Sequence, residues 1–401
     1  MTKEKILFAP IHYFYGKNYG SEMICAHDIF SRVVKLRPRS LAVSLTKLDQ
    51  ENDTSHLLYK YSIPKPFFPG LIDNFKLIFF YTRHGLSRIR KHHYSVIHHV
   101  FPFRIGRTFN PLFVLLGKNI NKVIGPVMVS VNYPNEDLKK DSFFDLNENP
   151  ISALTIRVLD PFFSVLCKMT LDKANTVVAL NETAKRELVA YGVPSQKIKI
   201  IPIGIDTRKF TYIPLKEKDR KNFNLLTLGY LTRRKGTELT VKALQLVKRE
   251  FPKVHLTVIG DGPQRRELEN LSRELDLAKN VTFAGFVNYE RLSREYQNSH
   301  LLVSMSRAES WGQVYIDAMA CGLPVITSRN DGSNEIVING KTGYLVDQED
   351  YASLARKIIN LIQHPKIMNR LGHNARLEVE RKYDWDKVII PEYLNIYDNL
   401  K

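Results

Sequence analysis

The chain has 401 residues, of which 44% are hydrophobic and 25% are charged. That length allows two domains with complete cores, so the fold requires neither disulfides nor a structural metal. The three cysteines, Cys25, Cys167 and Cys321, lie far apart without CxxC spacing, which argues against a disulfide framework or a zinc site. The sequence has neither a membrane-spanning apolar run nor an apolar leader, so we expect a cytoplasmic protein that is not exported.

The formal net charge of +18 is unevenly distributed along the chain. Residues 60–128 contain eleven lysines and arginines, one acidic residue and twelve aromatic residues. Interleaved rings and cations suit contact with an anionic bilayer, and they also suit stacking on single-stranded nucleic acid. A third interpretation places the rings in a core and the cations on a solvated rim, and composition alone leaves the three open.

Short apolar runs alternate with segments of helical period in the first half of the chain. The runs span residues 5–9, 41–45, 94–100, 123–131, 176–180 and 198–203. Strands separated by helices predict a parallel sheet with right-handed crossovers. Residues 206–222 are then polar, charged and without a pattern, which predicts a linker.

The same alternation restarts in the second half, at residues 225–228, 254–259, 281–284, 301–304, 325–326 and 343–346. We therefore predict an α/β protein with two doubly wound parallel-sheet domains, residues 1–205 and 223–383, facing across a cleft. Residues 384–401 have apolar positions at helical spacing and are predicted to pack across the join, back on the first domain. Since open parallel sheets bind ligands beyond the carboxyl ends of their strands, we expect the chemistry in loops that follow strands.

The most informative segment is SRAESWGQVYIDAMACGLPVITSRNDGSNEIVINGKTGYLV, residues 306–346. Glu309 lies in the loop after a predicted strand, and Gly312 precedes a predicted helix over residues 313–320. Free amides at a helix start favour a phosphate, and a loop carboxylate can accept hydrogen bonds from ligand hydroxyls. Asp317, eight residues after Glu309, could hold a second set of hydroxyls.

This segment resembles the signature of retaining glycosyltransferases of family 4, which have the GT-B fold. The shared pattern is a glutamate, seven residues, a second acid, then AMACGLPVI and a later NGxTGYLV. The resemblance implies that Glu309 contacts the transferred sugar and that Asp317, where the family usually has Glu, holds the ribose. It also places the backbone of four further residues in the sugar-nucleotide site: Ser310, Trp311, Gly312 and Gln313.

The segment LTLGYLTRRKG, residues 226–236, resembles a second element of the family, GR, four residues and then KG, whose cations bind the diphosphate. Lys235 matches the family lysine. Tyr230 stands at the usual arginine position, so Arg233 or Arg234 would supply the second charge. Such cations stabilise a departing nucleoside diphosphate where a metal otherwise would, and we therefore expect no metal and no other cofactor.

Three weaker matches complete the expected nucleotide-sugar site. Gly260 belongs to a GxG turn after a strand, and the backbone at Phe286 and Val287 is expected to face the nucleotide base. Gly20 takes the position of the glycine loop that follows the first strand of the family.

The family frequently has a histidine after a middle strand of the first domain. His98, His99 and Asn132 are the candidates here, and a structural hydrogen-bond network is the other interpretation of the histidine pair.

The resemblance implies an enzyme that moves a sugar, with retention, from a nucleotide-diphosphate sugar to a hydroxyl of a glycan or lipid-linked acceptor. The expected context is surface polysaccharide or glycolipid synthesis, with residues 60–128 docking the enzyme peripherally on the anionic inner face of the cell membrane. A catalytically silent GT-B partner protein would account for Tyr230 and Asp317. A basic nucleic-acid-binding protein would account for the charge but not for Glu309, so we expect no nucleic-acid partner.

Overall fold

The computed structural model describes residues 5–9, 13–14, 21–48, 57–63, 71–100, 103, 105–106, 108–128, 150–214 and 222–400. They divide into two compact units. Unit 1 comprises the described residues up to 128 together with 150–204 and 385–400, and unit 2 comprises 205–214 and 222–384. Gly20 and Asn132, both singled out from the sequence, lie outside the described residues.

Unit 1 is built on a parallel sheet of eight strands among the described residues, in the order β2-β3-β1-β5-β6-β7-β8, with β4 also paired to β3. Its elements are β1 Ile6–Phe8, β2 Tyr13–Phe14, α1 Ser21–Leu36, β3 Leu41–Leu48, β4 Leu57–Ile63, α2 Leu71–Lys91, β5 Val96–His99, α3 Pro111–Leu115, β6 Asn121–Val127, α4 Pro150–Lys173, β7 Thr176–Ala179, α5 Glu182–Ala190 and β8 Ile198–Ile200. The residues of β5 and β7 are all buried, as expected for parallel strands covered by helices on both faces.

The sequence predicted six of these eight strands. β2 is only two residues long, too short to show a pattern. β4 overlaps the start of the basic and aromatic residues 60–128, and its sequence LLYKYSI has Lys60 in the middle. Both pair with β3 and lie at one side of the sheet. Continuous apolar runs are typical of parallel strands that are buried on both faces, so strands at the side of a sheet need not show them.

The aromatic rings of residues 60–128 have two different environments. Five of them lie in the interior of unit 1: Phe80, Tyr81, Tyr94, Phe103 and Phe113. Phe79, in contrast, is 66% exposed. Buried rings cannot reach a membrane or a nucleic acid, so these five belong to the core.

Unit 2 is built on a six-stranded parallel sheet in the order β11-β10-β9-β12-β13-β14. Its elements are β9 Asn224–Leu228, a 3-10 turn Arg233–Lys235, α6 Thr237–Glu250, β10 His255–Ile259, α7 Arg265–Glu274, β11 Val281–Gly285, α8 Tyr289–Asn298, β12 Leu301–Ser304, α9 Gln313–Ala320, β13 Val325–Ser328, α10 Asp331–Ile336, β14 Gly343–Val346, α11 Tyr351–Gln363 and α12 Pro365–Lys382. All six strands predicted for this half are present, which together with the first sheet confirms the α/β fold class.

After a π-helical turn, Trp385–Ile389, helix α13, Ile390–Asn399, returns to unit 1. Arg37 Nη2 lies 2.5 Å from Asp398 Oδ1, and Asn121 Nδ2 donates to the carbonyl of Leu400 at 3.0 Å. Tyr397 is fully buried. The end of the chain is therefore part of the core of unit 1.

His98 connects α13 to the sheet from inside the core. Its Nδ1 lies 2.7 Å from Tyr397 Oη, and its Nε2 lies 2.8 Å from the carbonyl of Gly125. Burial lowers the pKa of His98 to about 3, against the opposing effect of the Gly125 carbonyl. The ring is therefore neutral, and because a carbonyl only accepts, Nε2 donates to Gly125 while Nδ1 accepts from Tyr397.

None of the helices in the described part of the chain combines the length and apolar character needed to cross a bilayer.

Candidate functional site

The strand order of unit 2 reverses next to its first strand. β9 pairs with β10 on one side and with β12 on the other. In doubly wound sheets this switch point is where loops from the two directions diverge and ligands bind. The loops after β9 and β12 carry Lys235 and Glu309, so the topology brings these two predicted site residues to one place.

Glu309 lies beside two basic side chains. Lys235 Nζ donates to Glu309 Oε2, and Arg234 Nη1 lies 3.6 Å from the same oxygen. The side chains of Arg234, Lys235 and Glu309 are 18%, 15% and 14% exposed. One carboxylate therefore faces two cations in a partly desolvated environment, where charges interact more strongly than in water.

The ionisation of these groups follows from burial and their mutual charges. Burial would raise the pKa of Glu309, but Lys235 and Arg234 outweigh it and hold that pKa below its ordinary value. Burial lowers the pKa of Lys235, and Glu309 opposes this. With Arg234 permanently charged, the cluster has an excess of one positive charge when Lys235 and Glu309 are ionised, which favours an anionic ligand.

The structure distinguishes between the two candidate arginines. The side chain of Arg233 is exposed, whereas Arg234 donates to the carbonyl of Ala308 at 2.7 Å and approaches Glu309. Arg234 is thus the arginine that lies with Lys235.

Arg307 holds the two loops against each other, although no motif in the sequence singles it out. Its amide donates to the carbonyl of Arg234 at 2.8 Å, and its guanidinium donates to the carbonyl of Arg233. The same guanidinium pairs with Glu238 at 2.6 Å and with Glu349 at 2.5 Å. A cation before the motif glutamate was visible in the sequence, but its partners lie 69 and 42 residues away.

Two glycines allow these loops to pack closely. Gly236 has φ 60°, and a Cβ there would lie 2.1 Å from the carbonyl oxygen of Met305. Gly260 has φ 123°, and a Cβ there would lie 1.9 Å from the carbonyl oxygen of Gly229. Neither site can accept a side chain without moving backbone. Contact of Gly260 with a nucleotide stays a prediction.

The loop that carries Glu309 is anchored by the start of α10. The Gly332 amide donates to the Glu309 carbonyl at 2.8 Å. Asn330 Nδ2 donates to the carbonyl of Ser306 at 2.9 Å, and its Oδ1 accepts from the amide of Ser333 within the same cap. The loop is therefore held by backbone contacts before any ligand arrives.

Asp317 lies inside unit 2 and is 3% exposed. Trp311 Nε1 donates to Gln313 Oε1 at 3.1 Å, and Gln313 Nε2 donates to Asp317 Oδ1 at 3.0 Å. Burial raises the pKa of Asp317 to about 7, while Gln313 and Lys209 oppose the shift. The structure thus joins three of the predicted site residues in one hydrogen-bonded row, and the ribose contact of Asp317 stays a prediction.

The remaining predicted positions lie in the loops that follow β12 and β11. Ser310 is buried next to Trp311 in the sequence, and Gly312 has φ 88° at the start of α9. Phe286 follows β11 and is 72% exposed, and Val287 is half-buried. The contacts expected of these four residues with a nucleotide or sugar also stay predictions.

Comparison with known proteins finds relatives of both halves of the chain. Residues 210–378 match the family described as glycosyl transferases group 1, and residues 43–209 match the family described as glycosyltransferase family 4. A GDP-mannose-dependent alpha-(1-6)-phosphatidylinositol monomannoside mannosyltransferase from Mycolicibacterium smegmatis is 28% identical over 51% of this chain and 56% of its own length. The capsular polysaccharide biosynthesis glycosyltransferase CapM from Staphylococcus aureus is 28% identical over 68% of this chain and 77% of its own length.

The alignment with the mycobacterial protein thus spans little more than half of that relative. Among solved structures, Anabaena HepE in complex with UDP superposes with a TM-score of 0.68 at 18% identity, over 98% of this chain and 99% of that one. This likeness confirms a GT-B fold of two Rossmann-like domains. Since the two family matches together extend from residue 43 to residue 378, the chain belongs to family 4 of the glycosyltransferases.

Proposed function

We propose that the protein is a retaining glycosyltransferase that moves a sugar from a nucleotide-diphosphate sugar to a hydroxyl of a glycan or lipid-linked acceptor. The observation that carries the proposal is the pairing of Lys235 and Arg234 with Glu309 at the switch point of the unit 2 sheet. Two relatives support the substrate classes, since one is described as GDP-mannose-dependent and the other as a glycosyltransferase of capsular polysaccharide biosynthesis.

Each member of the cluster has a role in this proposal. Lys235 and Arg234 bind the diphosphate and stabilise the negative charge that develops on it as the sugar leaves. Glu309 accepts hydrogen bonds from hydroxyls of the transferred sugar. Because the two cations lower its pKa, Glu309 is ionised and is unsuited to act as a general acid.

The proposed reaction proceeds on one face of the sugar. The acceptor hydroxyl oxygen forms a bond to the anomeric carbon while the bond from that carbon to the diphosphate oxygen breaks. The departing oxygen takes the proton of the acceptor hydroxyl, so no carboxylate base or covalent intermediate is needed and the anomeric configuration is retained. Side-chain cations supply the charge stabilisation, and we propose that the reaction requires no metal.

Calorimetric titration tests the proposal most directly. We expect one of the uridine or guanosine sugar nucleotides to bind with a dissociation constant in the roughly micromolar to millimolar range, and slow hydrolysis or transfer of that nucleotide to follow. The exposed-lysine variant Lys253→Ala serves as the matched control for the cluster variants described below.

Three results would contradict the proposal. Binding of a sugar nucleotide without turnover in the presence of a screened set of acceptors would indicate a catalytically silent relative. Tight oligonucleotide binding without sugar-nucleotide hydrolysis would indicate a nucleic-acid-binding protein. Inversion at the anomeric carbon, read from the product by NMR, would exclude same-face attack.

A further inference from the structure

Three neighbouring helices of unit 1 expose apolar side chains to solvent. α3 contacts both α2 and α4, so it lies between them. The exposed apolar residues are Phe79 on α2, Leu115 on α3, and Phe162, Val165 and Met169 on α4. All but Met169 are at least 60% exposed, and Met169 is 40% exposed. The outer face of a helix in a soluble protein is normally polar, so this arrangement needs an explanation.

On α4 these side chains form a continuous stripe. Phe162, Val165 and Met169 follow one another at spacings of three and four residues, which places them on one face of the helix. The opposite face buries Cys167 and Leu171 in the core of unit 1. The core is therefore complete without the exposed stripe.

The surroundings of the exposed apolar residues are strongly basic. The described side chains of residues 78–91, 111–120 and 161–173 include seven lysines and arginines and one acid, Asp172. On α2, Arg83 follows Phe79 by one turn on the same exposed face, and Lys118 follows the end of α3. Burial, and to a smaller extent the neighbouring charges of Arg83 and Arg88, lower the pKa of His84.

We propose that this α2–α3–α4 face, defined by the five exposed apolar residues and the surrounding cations, docks on an anionic lipid bilayer. Apolar tips that enter the headgroup boundary gain from leaving water, and lysines and arginines around them gain from anionic headgroups. The face includes α4, which lies outside residues 60–128, and it excludes the five rings buried in the core.

The chemistry of the side chains favours lipid over nucleic acid. Stacking on bases requires planar rings, whereas Leu115, Val165 and Met169 are aliphatic. An acidic protein partner would match the cations, and it is distinguished by the test below. The inference rests on the proposed function only in that docking would bring the enzyme to a lipid-linked acceptor.

Vesicle flotation of the full chain tests the proposal without sugar nucleotide or acceptor. We expect the protein to float with phosphatidylcholine vesicles that contain phosphatidylglycerol, to stay behind with phosphatidylcholine alone, and to be released by high salt. The charge variant Arg83→Gln/Lys118→Gln/Lys168→Gln should bind roughly a hundredfold more weakly. Its matched control changes three exposed cations of unit 2: Lys253→Gln/Arg266→Gln/Arg294→Gln.

The apolar variant Phe162→Ser/Val165→Ser/Met169→Ser should bind at least about tenfold more weakly. Its control is Val189→Ser/Leu377→Ser, which changes exposed apolar residues on α5 and α12. Sugar-nucleotide binding should be the same in all variants, so loss of docking and failure of the proposed function give separate results.

The proposal is overturned if the protein does not float with anionic vesicles at low salt, or if it floats equally well with neutral ones. The proposal is also overturned if the charge variant and the apolar variant lose no more vesicle binding than their controls. Retardation of a single-stranded oligonucleotide that disappears in both face variants, without flotation of the wild type, would assign the face to nucleic acid instead. A stable complex with a copurifying acidic protein and no flotation would assign it to a protein partner.

Discussion

Lys235 Nζ donates a hydrogen bond to Glu309 Oε2 across 74 residues of sequence. The two residues follow β9 and β12, which are adjacent strands, and both loops are held by backbone contacts of Arg307 and Gly332. The pair is therefore assembled by the fold and is present before a substrate binds. Preorganisation of this kind allows charges to stabilise a transition state without the cost of rearranging at the moment of reaction.

Loss of either member of this pair should abolish most activity. We expect Lys235→Ala and Glu309→Ala each to lower turnover at least about a hundredfold, since each removes a preorganised electrostatic contact. Initial rates of sugar-nucleotide consumption measure the effect, with Lys253→Ala as the control that retains full activity. Near-normal turnover in either cluster variant would refute the assignment of the site.

The two adjacent arginines should differ in their contribution. Arg234→Gln removes the second cation from Glu309 and the diphosphate, and we expect kcat/KM to fall by about tenfold or more. Arg233→Gln changes an exposed side chain and should stay within about twofold of wild type. Steady-state kinetics of the two variants, measured side by side, test this. Equal losses of kcat/KM would show that Arg233 and Arg234 contribute equally.

Asp317 should make the stability of the protein depend on pH. Burial raises its pKa to about 7, whereas in the unfolded chain it titrates near its ordinary value of about 4. Between these values the folded state holds a proton that the unfolded state has released, so the free energy of unfolding falls as pH rises from about 4 to about 7. Asp317→Asn removes the titrating group but keeps an acceptor for Gln313.

Thermal melts at two pH values test this. We expect Asp317→Asn to melt above wild type at pH 8 and to keep only about a third of that advantage at pH 5, a change between the two pH values equivalent to at most about 3 kcal/mol. If the difference in melting temperature between Asp317→Asn and wild type is the same at pH 5 and pH 8, Asp317 is already ionised at pH 5.

The attachment of α13 to unit 1 should depend on Tyr397. Tyr397→Phe leaves Nδ1 of buried His98 without its donor, at a cost of about 1–3 kcal/mol. Hydrogen exchange should then accelerate in α13 but not in β12 of unit 2. Tyr393→Phe is the matched control, because the buried Tyr393 hydroxyl has no hydrogen-bond partner among the described residues. Equal effects of the two substitutions would contradict a specific role for the His98 contact.

Much of the fold could be predicted because buried parallel strands are continuous apolar runs. All six strands of unit 2 were identified in this way, and α9 was placed after Gly312, which precedes it. β2 and β4 were missed because neither stands out as a continuous apolar run. The stripe on α4 was not predicted because apolar residues at helical spacing ordinarily indicate a buried face.

The site was predictable where chemistry is tied to motif spacing and not where it depends on three-dimensional contacts. Lys235 and Glu309 followed from the two family elements. The choice of Arg234 over Arg233 depends on the direction of side chains in a single 3-10 turn, which two adjacent identical residues cannot reveal. The contacts of Arg307 with Glu238 and Glu349 depend on which strands are neighbours.

Unit 1 is discontinuous in sequence, since residues 385–400 supply α13 and, with it, Tyr393 and Tyr397 of the core. A ribosome must therefore synthesise all of unit 2 before unit 1 has every residue that it buries. We infer that unit 1, most of which is synthesised first, is the last unit to be completed. A deletion after residue 384 would therefore damage unit 1, although most of unit 1 lies near the other end of the sequence.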